Sequence, residues 1–437
     1  MKKLLSILMA ACILATPTFS MAQENNEHSK DEKVEIRDQN IYVPTKDGIQ
    51  RATYEEAIKI DEYNKKPLSE ITDSYLLGDY KTGKILQSNN IDEVRAMAST
   101  SKLVSVFVVL DKIKEGKLNL DDKIVIDHEC SSLMGSSYKL KEGNEVTVEN
   151  LLKATFIVSG NDAITALGKQ IAGSKEGFVN MMNKKCKEFG LEHAHMVNAT
   201  GLTDYGIEDY NKMTTREMFK LTCALLREHP EVLKYSSEKS ITLANTDKVE
   251  YNTNPILGIL PEIDGLKTGY TNAAGRCLVA TGLKKGNEEK TTKDMRLIGI
   301  TMGSSNNWKR YSAARRLMEN GFNNYSNVRI GNTDEIIDEV SIEGCSKDKM
   351  DVFLKKPVYI LKKKGDKIEK DISIKENLKA PLDEGTKVGE IKYYIDDEEV
   401  ASMDLIIREK AYEKGFIFKF QSICEGIFSN IKESVSK

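Results

Sequence analysis

Three short groups of residues occur in an order that suits acyl transfer. Ser99-Thr100-Ser101-Lys102 sets a hydroxyl and an amine three residues apart. Ser159-Gly160-Asn161 sets a hydroxyl and an amide two apart. Lys267-Thr268-Gly269 joins a cation, a hydroxyl and a residue without a side chain. On a helix, residues three apart share one face with Cβ atoms ~5–6 Å apart, so Lys102 reaches the Ser99 hydroxyl. A serine hydroxyl is a poor nucleophile until a base takes its proton, and a lysine becomes that base when burial lowers its pKa. Lys102 is followed by Leu-Val-Ser-Val-Phe-Val-Val-Leu, which predicts a desolvated amine. If Ser99 opens the helix, its backbone N–H has no intrahelical partner and can stabilise an oxyanion.

In the second group Ser159 can relay a proton and Asn161 can hold a substrate carbonyl. In the third, placed on a strand before a turn, Lys267 supplies charge and Thr268 a hydroxyl for an anionic carboxylate. Gly269 lets a substrate backbone approach closely. Each group also has an ordinary structural reading: a solvent-facing helix start, a helix break, a turn. A second Lys-Thr-Gly, Lys81-Thr82-Gly83, precedes Ser99 where a hairpin turn is expected and reads as structural. A Ser-His-Asp site is the competitor, but the chain has only five histidines. His28 lies in a charged segment, and His128 and His229 lie among polar neighbours. His193 and His195 form an HxH that no nearby acid or cysteine pattern completes as a metal site. The lysine route is favoured, with no cofactor and no metal.

The elements that must position these residues follow from periodicity. Tyr75 to Tyr80, the turn Lys81 to Gly83 and Lys84 to Leu86 form a hairpin. Ser99 to Ile113 is a buried helix, and Val148 to Val158 and Asp162 to Ile171 are helices broken at Ser159 to Asn161. Ile263 to Lys267, Cys277 to Leu283 and Arg296 to Met302 are strands, and Tyr311 to Glu319 is a last helix. This order predicts an α/β (α+β) domain, an antiparallel sheet covered by helices with a helical lobe inserted. After about Val328 only short strands follow, around Val352, Val358, Val388 and Met403, predicting a small all-β C-terminal domain.

The 437 residues are 40% hydrophobic and 30% charged, with 64 basic and 67 acidic residues and a net charge of −3. Nothing in that balance suggests a nucleic-acid partner. Lys2 and Lys3 before the apolar run Leu4 to Ala15, and small residues at Ser20-Met21-Ala22, predict a signal peptide over 1–22. A lipoprotein reading with Cys12 acylated is the alternative. Residues 23–70 read as a charged spacer with one short helix near Tyr54 to Tyr63. The six cysteines beyond Cys12 are scattered and read as isolated thiols. Near the C-terminus Phe416, Phe420, Ile423, Ile427 and Ile431 recur at helical spacing among Lys414, Lys419, Lys432 and Lys437. That pattern predicts an amphipathic helix over 412–437 lying in a membrane interface. The expected location is therefore exported and peripheral, on the outer face of the cytoplasmic membrane.

The ordered SxxK, SxN and KTG set resembles that of the penicillin-recognising serine enzymes, and most of all the low-molecular-mass penicillin-binding proteins of the D-alanyl-D-alanine carboxypeptidase type. The likeness extends to Asp79 through Leu86, Met134-Gly135-Ser136-Ser137, Asn198 through Leu202 and Asp264 through Gly275. It implies a penicillin-binding/serine β-lactamase-like catalytic domain over 71–325 and a β-rich domain over 328–408. By matching position it implies that Ser99 is acylated, Lys102 is its base and Ser159 passes the proton to a leaving D-alanine. Asn161 would bind the peptide, and Lys267, Thr268 and Gly269 the terminal carboxylate. The backbone N–H groups of Ser99 and Tyr270 would form the oxyanion hole. The implied partners are peptidoglycan stem peptides and β-lactam antibiotics. Two departures stand out: Tyr270 follows the KTG where His is frequent, and Met97 replaces a common proline.

Two other functions compete. A serine β-lactamase of the SxxK/KTG type would carry a glutamate in an ExxLN-like loop, absent between Asn161 and Lys267, and usually SDN where this chain has SGN. A catalytically silent cell-wall-binding protein would need no intact motifs.

Overall fold

The computed structural model describes residues 42–45, 48–203, 209–289 and 291–415, together with 420, 424 and 427. Its centre is a five-stranded antiparallel sheet in the order Ile263–Thr271, Gly275–Lys284, Met295–Ser304, Ser74–Asp79, Ile85–Asn89. The chain enters the sheet at Ser74–Asp79, beside one edge, and leaves it through the edge strand Ile85–Asn89 of the same hairpin. It returns to the opposite edge after some 170 residues of helical lobe. Both faces of the sheet are covered. Gly78 lies against the Phe219 ring of the helix Thr215–Glu228, and Gly299 against Met318 of the helix Asn307–Asn324. Their lack of side chains lets each helix seat closely, and Leu76, Val279, Ile298 and Ile300 are buried between.

The lobe is built around the helix Lys102–Lys114, whose first nine residues are all buried. A helix apolar on every side must be surrounded, and here Asn161–Ala172, Lys175–Glu188 and Thr215–Glu228 pack on it. The neighbouring helices start where short polar side chains satisfy free N–H groups. Thr147 accepts from Asn150 N–H, Ser174 from Gly177 N–H, and Thr214 with Glu217 forms a reciprocal capping box. Asn161–Ala172 stops at Gly173, in the left-handed conformation with φ +75°.

Some expectations are corrected. Residues 54–70 are not spacer. The helix Tyr54–Lys65 packs along Asn307–Asn324, where Asn306 donates to the Tyr63 hydroxyl (3.1 Å), Ser312 to Asn64 Oδ1 (2.7 Å) and Arg316 to the Tyr63 carbonyl (3.0 Å). The last helix is longer than Tyr311 to Glu319 because Asn306 caps it and Asn320-Gly321 lies inside it. Near 328, where the sequence predicts the change to short strands, the passage between the domains is itself paired. The strand Tyr325–Gly331 follows that helix directly and pairs with both Thr292–Lys293 and Val358–Lys363. His229 does lie among polar neighbours and is buried with them, Asp111 Oδ1 2.8 Å from Nε2 and Glu231 Oε1 3.1 Å from Nδ1, with the Phe107 ring edge-on.

Beyond it, five strands in the order Ile336–Val340, Met350–Leu354, Glu398–Ile407, Lys387–Ile395, Glu369–Ile374 make an all-β domain. Val352, Leu354, Val388, Ile391, Tyr393, Leu405 and Ile407 form its own core. Cys130, Cys186, Cys223, Cys277 and Cys345 are buried free thiols. Residues 1–22, the spacer over 23–41 and at 46–47, and the predicted tail helix apart from residues 412–415, Phe420, Cys424 and Ile427 lie outside the described residues. The first residues of that predicted helix are not helical: Glu413 forms a bridge with Cys345. Among the described residues, no helix is long and apolar enough to cross a membrane.

Candidate active site

Ser99 sits in a single 3₁₀ turn, Ala98–Ser101, that runs straight into the helix Lys102–Lys114. The expected continuous helix from Ser99 is tightened over this first turn, and Ala98 before it holds a positive φ of +48°. Met97 anchors the approach with its side chain fully buried. Lys102 is buried completely, and its Nζ lies 2.8 Å from Ser99 Oγ, 2.7 Å from Asn161 Oδ1 and 2.8 Å from the Thr200 carbonyl. Two of those partners accept only. They take both hydrogens of a neutral amine and leave its lone pair for the Ser99 O–H. Burial holds the Lys102 pKa well below its ordinary value; the nearby Lys267 charge lowers it further and Asp162 opposes.

Ser159 bridges the helices Val148–Ile157 and Asn161–Ala172 with φ +60°, a left-handed conformation that costs a non-glycine residue strain and recurs at functional sites. Its hydroxyl meets Lys267 Nζ at 2.9 Å. Asp162, one residue past the motif, ties the facing loop down. Its carboxylate accepts from the Ser137 hydroxyl (2.7 Å) and the backbone N–H groups of Tyr138 (2.9 Å) and Leu140 (3.2 Å). Asn161 turns its oxygen to Lys102 and gives one amide hydrogen to the Met134 carbonyl at 2.8 Å. It therefore positions Lys102 first, with one hydrogen left for a peptide carbonyl.

Lys267, Thr268 and Gly269 lie inside the strand Ile263–Thr271, which runs on past them instead of turning. This is an edge strand of the sheet. Lys267 is 1% exposed, with Nζ also 2.9 Å from the Thr268 carbonyl. Burial, with the Arg310 charge adding to it, brings its pKa down to about 7. Its amine is thus held against Ser159. Thr268 alternates to the cleft side, its hydroxyl 2.6 Å from that of Thr253. Gly269 crosses directly beside the nucleophile's turn. A Cβ there would stand 3.0 Å from Ser99 N, Thr100 N and the Met97 carbonyl, so the backbone of the nucleophile's turn would have to shift to admit it.

Ser99, Ser159, Thr268, Gly269 and Tyr270 line one cleft of about 590 Å³. Arg276 and Arg310 line it too, and sequence reasoning passed over both. Arg310 is buried, its pKa lowered to about 10 by burial and by the neighbouring Arg276. Nothing local marks either arginine; the signal would have been their place opposite the KTG across the sheet and helix. The HxH residues take separate partners, His193 with Glu217 (3.2 Å) and His195 with Asp209 (2.9 Å). In Lys81-Thr82-Gly83, Thr82 N–H and hydroxyl both donate to Asp79 Oδ2, closing the hairpin.

With this geometry in place, comparison with known proteins is informative. The sequence pattern of the D-alanyl-D-alanine carboxypeptidase family matches residues 62–306, and that of the penicillin-binding protein 5 C-terminal domain matches 325–413. The D-alanyl-D-alanine carboxypeptidase DacF of Bacillus subtilis is 31% identical over 365 residues, 82% of this chain and 90% of the relative. Penicillin-binding protein 5 of Haemophilus influenzae superposes with a TM-score of 0.60 at 28% identity, over 78% of this chain and 98% of that one. The ampicillin-bound penicillin-binding protein D2 of Listeria monocytogenes superposes with a TM-score of 0.50 at 30% identity, over 57% and 96%.

Proposed function

This chain belongs to the D-alanyl-D-alanine carboxypeptidase family, and on that premise we propose that it removes the terminal D-alanine of peptidoglycan stem peptides through a Ser99 acyl-enzyme. The observation that carries the assignment of roles is the buried Lys102 amine, 2.8 Å from Ser99 Oγ with its two other contacts to acceptors. Lys102 takes the Ser99 proton as Oγ bonds to the carbonyl carbon of the penultimate D-alanine. General-base assistance of this kind is worth ~10²–10⁴ in rate. The oxyanion is held by the backbone N–H groups of Ser99 and Tyr270; one such donor is worth ~10²–10³.

An extended peptide adds to the free edge of Ile263–Thr271, gaining main-chain hydrogen bonds as a sixth strand. Its terminal carboxylate then lies by Thr268 and Arg310. As the C–N bond breaks, the proton taken up by Lys102 passes through Ser159, which Lys267 holds in place, to the departing amine, and Lys102 is neutral again. D-Alanine leaves, Lys102 takes a proton from a water as that water attacks the acyl carbon, and the same proton goes to Ser99 Oγ as the ester breaks, freeing Ser99 and the shortened peptide. A penicillin follows the first half of this path. Its departing nitrogen stays tethered through the ring, so it blocks the water's approach and the acyl-enzyme persists.

Export and membrane attachment belong to the same proposal. The charged and apolar stretches of residues 1–22 support export, and the apolar periodicity over 412–437 supports a peripheral anchor. Deleting 412–437 is expected to release the protein from washed membranes; unchanged retention would count against the anchor.

Mass spectrometry of a pentapeptide incubated with the wild type is expected to show loss of one D-alanine. Lys102→Ala is expected to slow that loss at least ~10²-fold. Equal rates for the two would remove Lys102 from the mechanism.

A further inference from the structure

Tyr270 and Arg276 face one another across the hairpin that joins the first two strands of the sheet; they are register partners. The guanidinium carbon of Arg276 lies 4.0 Å from the centroid of the Tyr270 ring. The Tyr270 hydroxyl donates to Asn272 Oδ1 at 2.9 Å, which pins the ring although the residue is 49% exposed.

Apart from that stacking, the Arg276 guanidinium has no hydrogen bond or ion pair among the described residues, and its Nε is buried without a partner. Arg310, on the helix Asn307–Asn324, also has a buried Nε without a partner, and donates through Nη2 to Asn307 Oδ1 at 3.2 Å. The acids that line the cleft, Glu56 and Glu250, are engaged elsewhere, by Thr53 N–H and by Lys248. Two neighbouring guanidinium groups without a carboxylate repel one another and are costly to hold in a partly buried wall. A planar anion reverses that cost, since guanidinium binds carboxylate through paired, charge-assisted hydrogen bonds.

We propose that Arg276, laid flat on Tyr270, is a specificity-determining residue that grips the substrate's free terminal carboxylate together with Arg310 and Thr268. The assignment rests on the acyl-transfer reading above. Tyr270 is then a positioning residue: its ring fixes the guanidinium plane by a cation–π contact while its backbone serves the oxyanion. A substrate with a neutral terminus leaves both arginines unpaired, so the cleft rejects it.

The test compares kcat/KM on a peptide ending in D-Ala-D-Ala with that on the same peptide carrying a terminal carboxamide, using the full chain. Arg276→Gln is expected to lower the value for the acid ~10–100-fold, mainly through KM, and to leave the amide unchanged, collapsing the acid-to-amide ratio. Arg276→Lys is expected to restore part of the ratio, and Tyr270→Leu to lose part of it. A ratio unchanged in Arg276→Gln, whether both values hold or both fall together, overturns the assignment while the wild type's activity keeps the acyl-transfer reading. A wild type that releases no D-alanine overturns that reading, and Arg276 with it.

Discussion

At Lys81-Thr82-Gly83 the triplet closes a hairpin: Thr82 caps the Asp79 carboxylate at 2.7 and 2.8 Å, and Gly83 turns at φ +72° with open space around it. At Lys267-Thr268-Gly269 the same letters run extended along an edge strand. There the lysine is buried on Ser159, the threonine faces the cleft, and the glycine presses on the Ser99 turn. In the first copy each residue answers to its immediate neighbours in the chain. In the second each answers to a residue more than a dozen positions away, so chemistry arises from what the fold brings to the triplet.

The sharpest way to break this comparison is to add one methyl group to each glycine. Gly269→Ala pushes a Cβ against Ser99 N, Thr100 N and the Met97 carbonyl, all 3.0 Å away. Acylation by penicillin is expected to fall ~10²–10³-fold, as for loss of an oxyanion donor. Stopped-flow labelling reads it directly. Gly83→Ala is expected to leave acylation unchanged and to lower stability by ~1 kcal/mol, the strain of a positive φ, measurable by urea unfolding.

Lys267→Met and Lys81→Met sharpen the comparison through charge. Lys267→Met removes the amine on Ser159 and is expected to slow D-alanine release ~10²-fold, whereas Lys81→Met changes no rate. Lys267 also carries a signature in stability. Its folded pKa is depressed to about 7, so between that value and the unfolded one the unfolded chain binds the extra proton. Stability from this group is fully present above the unfolded pKa and is lost as pH falls through about 7. Wild type minus Lys267→Met, followed by denaturant unfolding from pH 9 down to pH 6, is expected to fall by up to ~1.4 kcal/mol per pH unit. A flat difference would contradict a buried Lys267 whose pKa is held at about 7.

Smallest in effect is the threonine pair. Thr268→Val deletes the cleft hydroxyl that the proposed reaction sets beside the carboxylate and is expected to raise KM ~10-fold. Thr82→Val is expected to cost ~1 kcal/mol of stability with KM unchanged. Equal KM effects from the two would dissolve the distinction between the copies.

Much of the site was legible because its parts are local. Ser99 and Lys102 lie one turn apart, the apolar run announces burial, and the helix break at Ser159 is written in Gly160 and its neighbours. The sheet and the helical lobe were legible too, from alternation and periodicity. What escaped notice is what only three-dimensional meeting creates. Arg276 and Arg310 look like any surface cations until the hairpin and the last helix bring them to one wall. The Thr200 carbonyl that holds Lys102 has no side-chain signal at all. The sequence predicts a helix near Tyr54–Lys65 but carries no sign that it docks. It buries only Ala57, Ile60 and Asp61 and docks largely through polar contacts to the last helix, which hydropathy does not report.

The central claim is that Ser99, activated by the buried Lys102, is the group that becomes acylated. Intact-protein mass spectrometry after incubation with penicillin, followed by peptide mapping, tests it most directly. One added penicillin is expected on the wild type, carried by the peptide containing Ser99, and none on a folded Ser99→Ala protein. Equal labelling of Ser99→Ala, or an adduct mapped to another residue, would contradict it.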